Sequence, residues 1–410
     1  MKSEEMSMWR RLPEENQADI FLKLPVNSIL ACRCVCKIWF NLLRNPKFIK
    51  NHLNRSIRNN NNPRLMIVQP QYGKNPIISS VDYKSISSSS PSELKVVSIN
   101  YPFENKEIEG IVTLGSCNGL ICLGISTGKG IETKNYICIW NPSTGEYKTI
   151  NLPVYECVAE SSPKSYDVRS RYGFGYDGNI DDYKLVKMSF NESLLNSFPK
   201  LQTIQVFALG SKRWKTIECP DPYMFPSRQF NKMLPGLLFN GALHWSPGMT
   251  TNQGTNSEVI VCFDINSERL MDVPLPEEPR LHLRSRNSYK QVGLLGDCLC
   301  VVFLYSFQAD IWVMKDYGVS ESWTKVLTIS QLTMFTDPFL KPLWAFENGD
   351  VLVHSRKELS LCSQNNGIIK VLLHGNHPES YVESLVSLKS DTYVKKSTTN
   401  GIRRNPSDRD

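Results

Sequence analysis

Two glycine-spaced motifs in this chain have the residue types that catalysis or cofactor binding would need. Residues 124–128 read GISTG, which matches the GxSxG turn on which hydrolases present a nucleophilic serine between a strand and a helix. Because the following residues return as a second strand, we interpret this motif as a hairpin turn. Residues 173–178 read GFGYDG, and a dinucleotide site requires a helix that begins at the third glycine. A turn and another strand follow instead, so we interpret these glycines as positive-φ residues of a tight turn.

Cysteine and histidine are the other candidates for chemistry. Cys32, Cys34 and Cys36 are spaced as CxCxC, whereas structural zinc usually takes paired CxxC or Cys/His hooks. The six histidines are scattered, and His244, beside Trp245 in an apolar run, is interpreted as a core residue. We therefore expect no catalytic residue, no metal ligand and no cofactor, and the chain is predicted not to be an enzyme.

The N-terminal part of the chain, residues 12–43, displays apolar residues with helical spacing. The pattern predicts three short helices, the first beginning at Pro13, the second capped by Asn27 or Ser28, and the third carrying Trp39 on its apolar face. Modules of about 40 residues rarely fold unaided, and this one displays more large apolar groups than it can bury. We therefore expect it to bind a partner surface.

After residue 63, short β-rich runs replace the helical spacing. A Gly-containing turn followed by an apolar strand recurs, for example at Asn118-Gly119 and Asn240-Gly241. Farther along, the repeat has a period of about 50 residues, which is typical of a four-stranded propeller blade of the kelch type. Four tryptophans in the repeated strands are predicted to pack between blades: Trp140, Trp214, Trp312 and Trp323.

The predicted fold class is α+β. A small three-helix N-terminal module precedes a large, mainly antiparallel all-β domain, which we predict to be a kelch-like β-propeller of about six blades. A large β-sandwich is the alternative. The predicted segments are 1–55 for the helical module, 56–110 for a linker with the first strands, 111–388 for the repeated β-domain, and 389–410 for a disordered basic tail.

Charge and hydropathy restrict the partners and the compartment. The tail holds six Lys or Arg and three acidic residues, so it supplies three units of the formal net charge of +7. Nucleic-acid binders cluster basic residues on a folded face, so we expect no nucleic-acid partner. No apolar run approaches the roughly 18 residues that span a bilayer, and the charged N-terminus differs from a signal peptide. We expect no membrane partner and a cytoplasmic and/or nuclear protein, in which the twelve cysteines are reduced.

Two sets of residues, in a fixed order, resemble a known family. The N-terminal set comprises Leu12-Pro13, Ile20, residues 24–26 (LPV), 28–30 (SIL) and 33–37 (RCVCK), and Trp39. The second set comprises residues 115–120 (GSCNGL), 140–144 (WNPST), 173–177 (GFGYD), 182–186 (DYKLV), Trp214-Lys215 and 240–245 (NGALHW). The first resembles the F-box, and the second resembles the F-box-associated interaction domain, of plant F-box proteins, a superfamily that includes F-box/kelch and S-locus F-box proteins.

This resemblance implies the substrate-recognition subunit of an SCF-type cullin-RING ubiquitin ligase. The F-box would bind a Skp-type adaptor and, through it, a cullin scaffold, while the β-domain would hold an unknown target protein. Such a receptor acts by raising effective concentration and needs no catalytic group of its own. The residues that the resemblance assigns to adaptor binding are Leu12, Pro13, Ile20, Leu24, Pro25, Ile29, Leu30, Val35, Trp39 and Leu42.

Four positions depart from the family pattern. Asn16 and Gln17 stand where the family usually has apolar residues, and Ala31 and Cys32 stand where it has an arginine and a large aromatic residue. Because apolar contact area is lost, we expect adaptor binding to be weaker than is typical.

One alternative function is a non-ligase protein- or glycan-binding module with a degenerate F-box. Another is a propeller-scaffold enzyme, such as an oxidase whose copper is held by convergent Tyr, His and Cys side chains.

No single residue is assigned to target binding. Receptors of this kind contact their partners with loops, and the long polar stretches are the candidates: 159–171, 221–232, 249–257 and 277–288. A narrower form of the same hypothesis is an S-locus-type receptor whose target is a secreted ribonuclease. The domain order is compatible with that form and does not select it.

Overall fold

A computed structural model of the chain describes most of its 410 residues. The described ranges are 12–58, 63–87, 94–103, 106–128, 133–151, 170–190, 201–217, 223–225, 235–252, 255–277, 289–305, 308–330, 340–355, 357–363, 367–390 and 392–394. None of the helices within these ranges has both the length and the apolar character needed to cross a bilayer.

In residues 12–58, the part of the N-terminal module that the structure describes, there are four helices, one more than the sequence predicted. They are α1 (Glu14–Phe21), α2 (Val26–Cys32), α3 (Lys37–Arg44) and α4 (Pro46–Arg58). The first helix begins at Glu14, one residue after the predicted start at Pro13. The second begins directly after Pro25, so the predicted cap at Asn27 or Ser28 is wrong. The unpredicted α4 begins at Pro46, where a proline costs no helical hydrogen bond because the first N–H groups are unpaired in any case.

The core of the module draws on all four helices. Phe21, Ile29, Leu43 and Phe48 are buried together, and the cluster also includes Leu385 from the far end of the chain. The module therefore buries part of its apolar surface with help from the same polypeptide, which the sequence had not predicted.

The β-domain is a ring of six antiparallel four-stranded sheets, so the predicted propeller of about six blades is confirmed. Blade 1 comprises β1 (Arg64–Gln71), β2 (Lys74–Asp82), β3 (Val96–Ser98) and β24 (Asn376–Tyr381), with helix α5 (Tyr83–Ser87) between β2 and β3. Blade 2 comprises β4 (Ile108–Cys117), β5 (Leu120–Thr127), β6 (Lys134–Trp140) and β7 (Tyr147–Ile150). Blade 3 comprises β8 (Ser170–Asp177), β9 (Asp182–Phe190), β10 (Leu201–Ala208) and β11 (Arg213–Ile217).

The remaining blades repeat the same meander. Blade 4 comprises β12 (Leu237–Phe239), β13 (Ala242–Asn252), β14 (Thr255–Asp264) and β15 (Arg269–Pro274). Blade 5 comprises β16 (Tyr289–Leu295), β17 (Cys298–Leu304), β18 (Ala309–Met314) and β19 (Trp323–Ile329), with a 3₁₀ turn at Ser320–Ser322. Blade 6 comprises β20 (Lys341–Ala345), β21 (Val351–Ser355), β22 (Glu358–Ser363) and β23 (Gly367–His374).

The ring closes through β24, the last strand that the structure describes. Blade 1 has the order β24-β1-β2-β3, so a C-terminal strand lies innermost beside three strands from the N-terminal side of the domain. A hydrophobic cluster lies between each pair of neighbouring blades. The predicted tryptophans all belong to these clusters, which confirms their packing role: Trp140, Trp214, Trp312 and Trp323.

The propeller has two distinguishable faces. In an antiparallel meander the turn after the first strand of each blade lies at one face and the connection to the next blade lies at the other. We call the first the proximal face, because the turn between β8 and β9 carries Asp181, whose carboxylate accepts a hydrogen bond from Lys50 of α4. The opposite face is the distal face.

The predicted segment boundaries map onto the structure as follows. Segment 56–110 contains β1, β2 and β3, which form most of blade 1. Of the predicted tail 389–410, the structure describes residues 389–390 and 392–394, and the predicted disorder of the remainder concerns residues outside the described ranges.

Candidate functional site

The N-terminal module leaves large apolar side chains exposed. Six of the fifteen exposed large apolar side chains of the described chain lie in residues 12–58, although that segment is only 47 residues long. We define the exposed apolar set as Leu12, Ile20, Val35, Ile38 and Phe40. Concentrated exposure of this kind is typical of a protein–protein interaction site.

The ten residues assigned from the sequence to adaptor binding differ in exposure. Five are exposed: Leu12, Pro13, Ile20, Pro25 and Val35. Four are half-buried: Leu24, Leu30, Trp39 and Leu42. Ile29 is fully buried, because α2 turns it into the module's core. The structure therefore gives Ile29 a packing role, and direct contact between Ile29 and an adaptor does not fit this arrangement.

Two members of the exposed apolar set were missed by the sequence reasoning. Ile38 is 55% exposed and Phe40 is 41% exposed, both on α3. This helix reads KIWFNLLR, and among its residues only Leu43 is buried. The signal in the sequence was an eight-residue helix whose polar residues, Lys37, Asn41 and Arg44, share one side, so that its apolar face is wider than one core can cover.

Buried polar contacts hold the helices that present this surface. Arg33, after α2, donates a hydrogen bond from Nη2 to the Leu43 carbonyl on α3 at 2.8 Å. His52 of α4 is 3% exposed and bonds through Nε2 to the Leu24 carbonyl in the α1–α2 turn at 2.9 Å. Burial lowers the pKa of His52. The unpredicted α4 therefore supports the segment that connects α1 and α2.

The departure at Gln17 has a structural explanation. Its side chain is buried, and Nε2 donates a hydrogen bond to the Leu12 carbonyl at 2.9 Å. Gln17 therefore faces the module's interior. Asn16 and Ala31 are exposed and Cys32 is half-buried, so only these three departures can reduce apolar area at the surface.

The two glycine-spaced motifs do not form the sites that their patterns match. Residues 124–127 form the end of β5 and Gly128 follows it, so most of this motif lies in the strand rather than in the predicted turn. The Ser126 hydroxyl donates a hydrogen bond to Asn135 Oδ1 at 2.7 Å. Residues 173–178 lie on β8 and the start of the following turn. A Cβ at Gly175 would lie 2.2 Å from the Ile265 Cδ1 atom, so this glycine permits blades 3 and 4 to approach. The predicted need for positive φ is wrong here, because none of the three glycines adopts it.

His244 is an internal hydrogen-bonding residue. It is 1% exposed, its Nδ1 lies 3.3 Å from the Leu237 carbonyl, and its Nε2 lies 2.7 Å from the Tyr317 hydroxyl. One tautomer satisfies both, with Nδ1–H donating to the carbonyl and the Tyr317 O–H donating to Nε2. Burial lowers the pKa of His244 to about 4. Both ring nitrogens are engaged, which leaves no lone pair for a copper ion.

Metal-ligand clusters are not found in the described part of the chain. Within those residues, no group of three or more His, Cys, Asp or Glu side chains is placed to hold a metal ion. Cys32, Cys34 and Cys36 lie at the end of α2 and in the segment after it, and all three are free thiols.

The candidate target-binding stretches leave the propeller at one face. The connections β7–β8, β11–β12, β13–β14 and β15–β16 contain them, and antiparallel topology places the flanking strand ends at the distal face. Most of their residues lie outside the described ranges; the described ones are 170–171, 223–225, 249–252, 255–257 and 277. The F-box-like module and these strand ends therefore lie on opposite faces of the ring.

The helical module with its exposed apolar set and the six-bladed propeller have the architecture of a substrate-recognition protein of the F-box class. Residues 9–51 match the model of the F-box domain, which implies binding to a Skp-type adaptor. Residues 64–362 match the model of the F-box associated beta propeller domain. The chain belongs to the family of F-box proteins with an F-box associated beta propeller domain.

Curated F-box proteins are similar in sequence to this chain over most of its length. It is 29% identical over 335 residues to the F-box protein CPR1 of Arabidopsis thaliana, covering 78% of this chain and 73% of that protein. It is 26% identical over 373 residues to an F-box/kelch-repeat protein of the same plant, covering 88% of this chain and 90% of that protein. Among solved structures, TolB from Acinetobacter baumannii aligns over 82% of this chain and 73% of its own at 10% identity, with a TM-score of 0.42, a similarity too low to support an argument.

Proposed function

We propose that this protein is the substrate-recognition subunit of an SCF-type cullin-RING ubiquitin ligase. Its F-box binds a Skp-type adaptor and, through it, a cullin scaffold, and its propeller binds a target protein. The observation that carries this proposal is the exposed apolar set on a segment that matches the F-box model. A protein of this kind acts by holding the target close to the conjugating enzyme, because tethering both to one frame raises their effective concentration.

The exposed apolar set is large enough to matter for binding. Burying one large apolar side chain contributes about 1.5–3 kcal/mol, and these five begin roughly half exposed, so together they contribute about 4–8 kcal/mol. Association costs about 4–15 kcal/mol in lost freedom. The half-buried residues Leu24, Leu30, Trp39 and Leu42 are therefore needed as further contacts, and the departures at Asn16 and Ala31 should weaken binding without abolishing it.

The arrangement of the two surfaces supports the same function. The F-box lies at the proximal face, and the long connections between blades leave from the distal face. An adaptor bound to the F-box would therefore leave the distal face free for a target protein. We propose the distal face as the target-binding face, in keeping with the general use of loops for recognition.

The proposed compartment is the cytoplasm, the nucleus or both. The ten cysteines that the structure describes are unpaired, which agrees with the reducing conditions of those compartments. Most of these thiols lie buried inside the blades, where burial raises the pKa of Cys117 and Cys262 to about 12 and keeps them protonated.

The direct test is binding between the purified full-length protein and a recombinant plant Skp-type adaptor. We expect a one-to-one complex by size-exclusion chromatography with light scattering, and self-ubiquitylation when cullin, RING protein and conjugating enzyme are added. A folded protein that binds none of several plant adaptors would contradict the proposal and favour the non-ligase binding module. Affinity capture with and without proteasome inhibition would then identify the target.

A further inference from the structure

The chain continues past the last propeller strand and returns to the F-box. After β24 ends at Tyr381, residues 382–394 run across the proximal face, and residue 391 is the one position of this segment that is not described. We call this segment the strap. Leu385 of the strap is 2% exposed and belongs to the F-box core, together with Ile29 and Leu43.

The first anchor of the strap on the propeller is Asn141, which follows β6. Its Nδ2 group donates hydrogen bonds to the carbonyl of Ser384 at 3.1 Å and to the carbonyl of Val386 at 2.8 Å. Asn141 and Ser384 are both fully buried. These bonds fix the backbone on both sides of Leu385, the residue that enters the F-box core.

The second anchor is Glu146, in the turn between β6 and β7. Glu146 is 2% exposed, and its Oε1 atom accepts hydrogen bonds from the backbone N–H of Ser390 at 2.9 Å and from its hydroxyl at 3.2 Å. The Tyr147 N–H donates to the Thr392 carbonyl, and the Val394 N–H donates to the Gly145 carbonyl, both at 2.9 Å. A buried carboxylate and two backbone bonds therefore hold the strap's far end.

A glycine makes room for the strap between these anchors. Gly119, in the β4–β5 turn, has a φ of +80°, and a Cβ there would lie 2.4 Å from the Ser384 hydroxyl oxygen and 2.6 Å from the Val382 carbonyl oxygen. Gly241 occupies the same place in the β12–β13 turn with a φ of +75°, but its nearest neighbour, Asn266 Nδ2, is 3.7 Å from the corresponding Cβ. Of these two turns, the one in blade 2 is filled by another described segment and the one in blade 4 is not.

A second described tie between the F-box and the propeller is weak. Lys50 and Asp181 form an ion pair at 3.1 Å, and their side chains are 62% and 74% exposed. Exposed pairs contribute little because water screens them. The chain itself enters the propeller through one connection, and domains joined in that way normally move relative to one another.

We propose that the strap locks the F-box onto blade 2 and thereby sets the span and orientation between the adaptor-binding surface and the distal face. Leu385 enters the helical core while Asn141 and Glu146 hold its neighbours on the propeller. The proposed attachment of the F-box to blade 2 rests on these contacts alone. Its consequence for ubiquitin transfer rests on the function proposed above.

Hydrogen–deuterium exchange on the full-length protein tests the lock with a matched pair of variants, Gly119→Ala and Gly241→Ala. Both impose the same backbone strain, because both glycines have positive φ, and only the first displaces the strap. We expect amides of α1–α4 to exchange about tenfold faster or more in Gly119→Ala than in Gly241→Ala, with unchanged protection in β17 of blade 5. Equal exchange in α1–α4 of the two variants would overturn the proposal.

A second variant separates positioning from F-box folding. Asn141→Asp keeps the side-chain oxygen that accepts from the Ser143 N–H at 2.9 Å, but it replaces the donor that faces two strap carbonyls. In the adaptor complex the adaptor itself holds the F-box folded. The control is Glu321→Gln, a surface change in blade 5. We expect X-ray scattering to give a larger maximum dimension for the adaptor complex of Asn141→Asp than for the adaptor complex of this control. Self-ubiquitylation should also spread to more lysines.

Identical scattering and identical lysine patterns for Asn141→Asp and its control would show that the strap only completes the F-box core, and the positioning proposal would be wrong. If no adaptor binds even the wild-type protein, the proposed function fails while the exchange comparison still decides whether the lock exists.

Discussion

The indole ring of Trp39 packs edge-on against the phenyl ring of Phe21, with ring centroids 5.0 Å apart and planes at 76°. Phe21 ends α1 and is 2% exposed, so this contact joins α1 to α3 inside the module. Aromatic pairs in this geometry contribute about 0.5–1.5 kcal/mol beyond the burial of their area. Trp39 therefore has two roles in the hypothesis, one in the F-box core and one at the adaptor surface.

Replacing Trp39 and Leu24 together by alanine should abolish adaptor pull-down. Both side chains are half-buried, so their removal takes away partner contact and also leaves cavities, and each such change destabilises by about 2–5 kcal/mol. The propeller should remain folded because its six inter-blade clusters contain neither residue. Pull-down with exchange protection of β17 as the folding control checks both statements, and retained pull-down would count against the F-box assignment.

A cleaner test of the surface alone uses Val35→Glu with Ile38→Glu. These side chains are 48% and 55% exposed, so the free energy of unfolding should change by less than about 0.5 kcal/mol each. Burying a carboxylate against an apolar partner is costly, so adaptor affinity should fall about a hundredfold, which is about 2.7 kcal/mol. The measurement is isothermal titration calorimetry with the purified adaptor.

The matched control for that pair is Ile57→Glu. Ile57 is 47% exposed on α4 and lies beyond residues 9–51, which match the F-box model. We expect its affinity to equal that of the wild type. Equal losses in the control and in the Val35 and Ile38 variant would mean that added charge, and not the exposed apolar set, governs binding.

Local patterns predicted the propeller because its turns are encoded locally. Asn118 and Gly119 have φ values of +53° and +80°, and Asn240 and Gly241 have φ values of +47° and +75°. Two consecutive positive φ values define the hairpin turn that Asn-Gly pairs favour. The blades could therefore be recognised from turn residues and strand spacing alone.

The strap and the closing strand carry no comparable local signal. β24 reads NHPESY, which is polar for an innermost strand, and it pairs with β1, more than 300 residues earlier in the chain. The strap is held by Asn141 and Glu146, which are about 240 residues away in sequence. Such contacts are set by ring closure, so the sequence reasoning treated residues 389–390 and 392–394 as part of a disordered tail.

How much of a short helix's apolar face the core covers was equally hidden. In residues 37–44 the polar side chains Lys37, Asn41 and Arg44 share one side and the rest of the helix is apolar, so periodicity gives an apolar face that is wider than one core covers. The assembled module decides, burying Leu43 and leaving Ile38 exposed. The sequence thus identified the F-box, but not which of its residues are free to contact a partner.

The buried His244 should make the propeller sensitive to mild acid. Burial lowers its pKa from 6.5 to about 4, so below pH 6.5 the unfolded chain binds a proton that the folded chain does not. The folded state has its full stability with respect to His244 ionisation above pH 6.5, and this stability is lost as the pH falls towards 4. Between pH 7.5 and 5 the free energy of unfolding should fall by about 2 kcal/mol on this account.

The variant that isolates this effect is His244→Gln, since a carboxamide still bonds to the Tyr317 hydroxyl without titrating. Denaturant unfolding at the two pH values, in wild type and variant, gives the measurement, and the other histidines cancel in the comparison. An equal loss of stability in both proteins would show that His244 does not titrate in this range.

Lys184 occupies a buried ionic cluster between blades 3 and 4. Its Nζ group lies 2.6 Å from the Asp177 carboxylate and 2.7 Å from the Glu268 carboxylate, and it donates to the Ile265 carbonyl at 2.9 Å. Burial alone would raise the pKa of Asp177, but hydrogen bonds from Lys184 and nearby backbone N–H groups outweigh it and hold the pKa below its usual value. Lys215 pairs with the same Glu268, also at 2.7 Å, but its side chain is 69% exposed.

Lys184→Met and Lys215→Met each remove one positive charge that pairs with Glu268, the first from a buried site and the second from an exposed one. The first leaves Asp177, which is 2% exposed, without its cation, and breaking a buried pair costs about 3–5 kcal/mol. The second removes an exposed partner, which costs less than about 1 kcal/mol. Lys184 supplies much of the interaction that offsets the burial of Asp177, so its removal should raise the pKa of that carboxyl. The carboxyl then becomes protonated as the pH falls towards 4, and the loss in Lys184→Met should be smaller at pH 4 than at pH 7. Chemical denaturation of both variants at pH 7 and pH 4 measures this, and equal destabilisation by the two substitutions would show that burial does not govern the strength of this cluster.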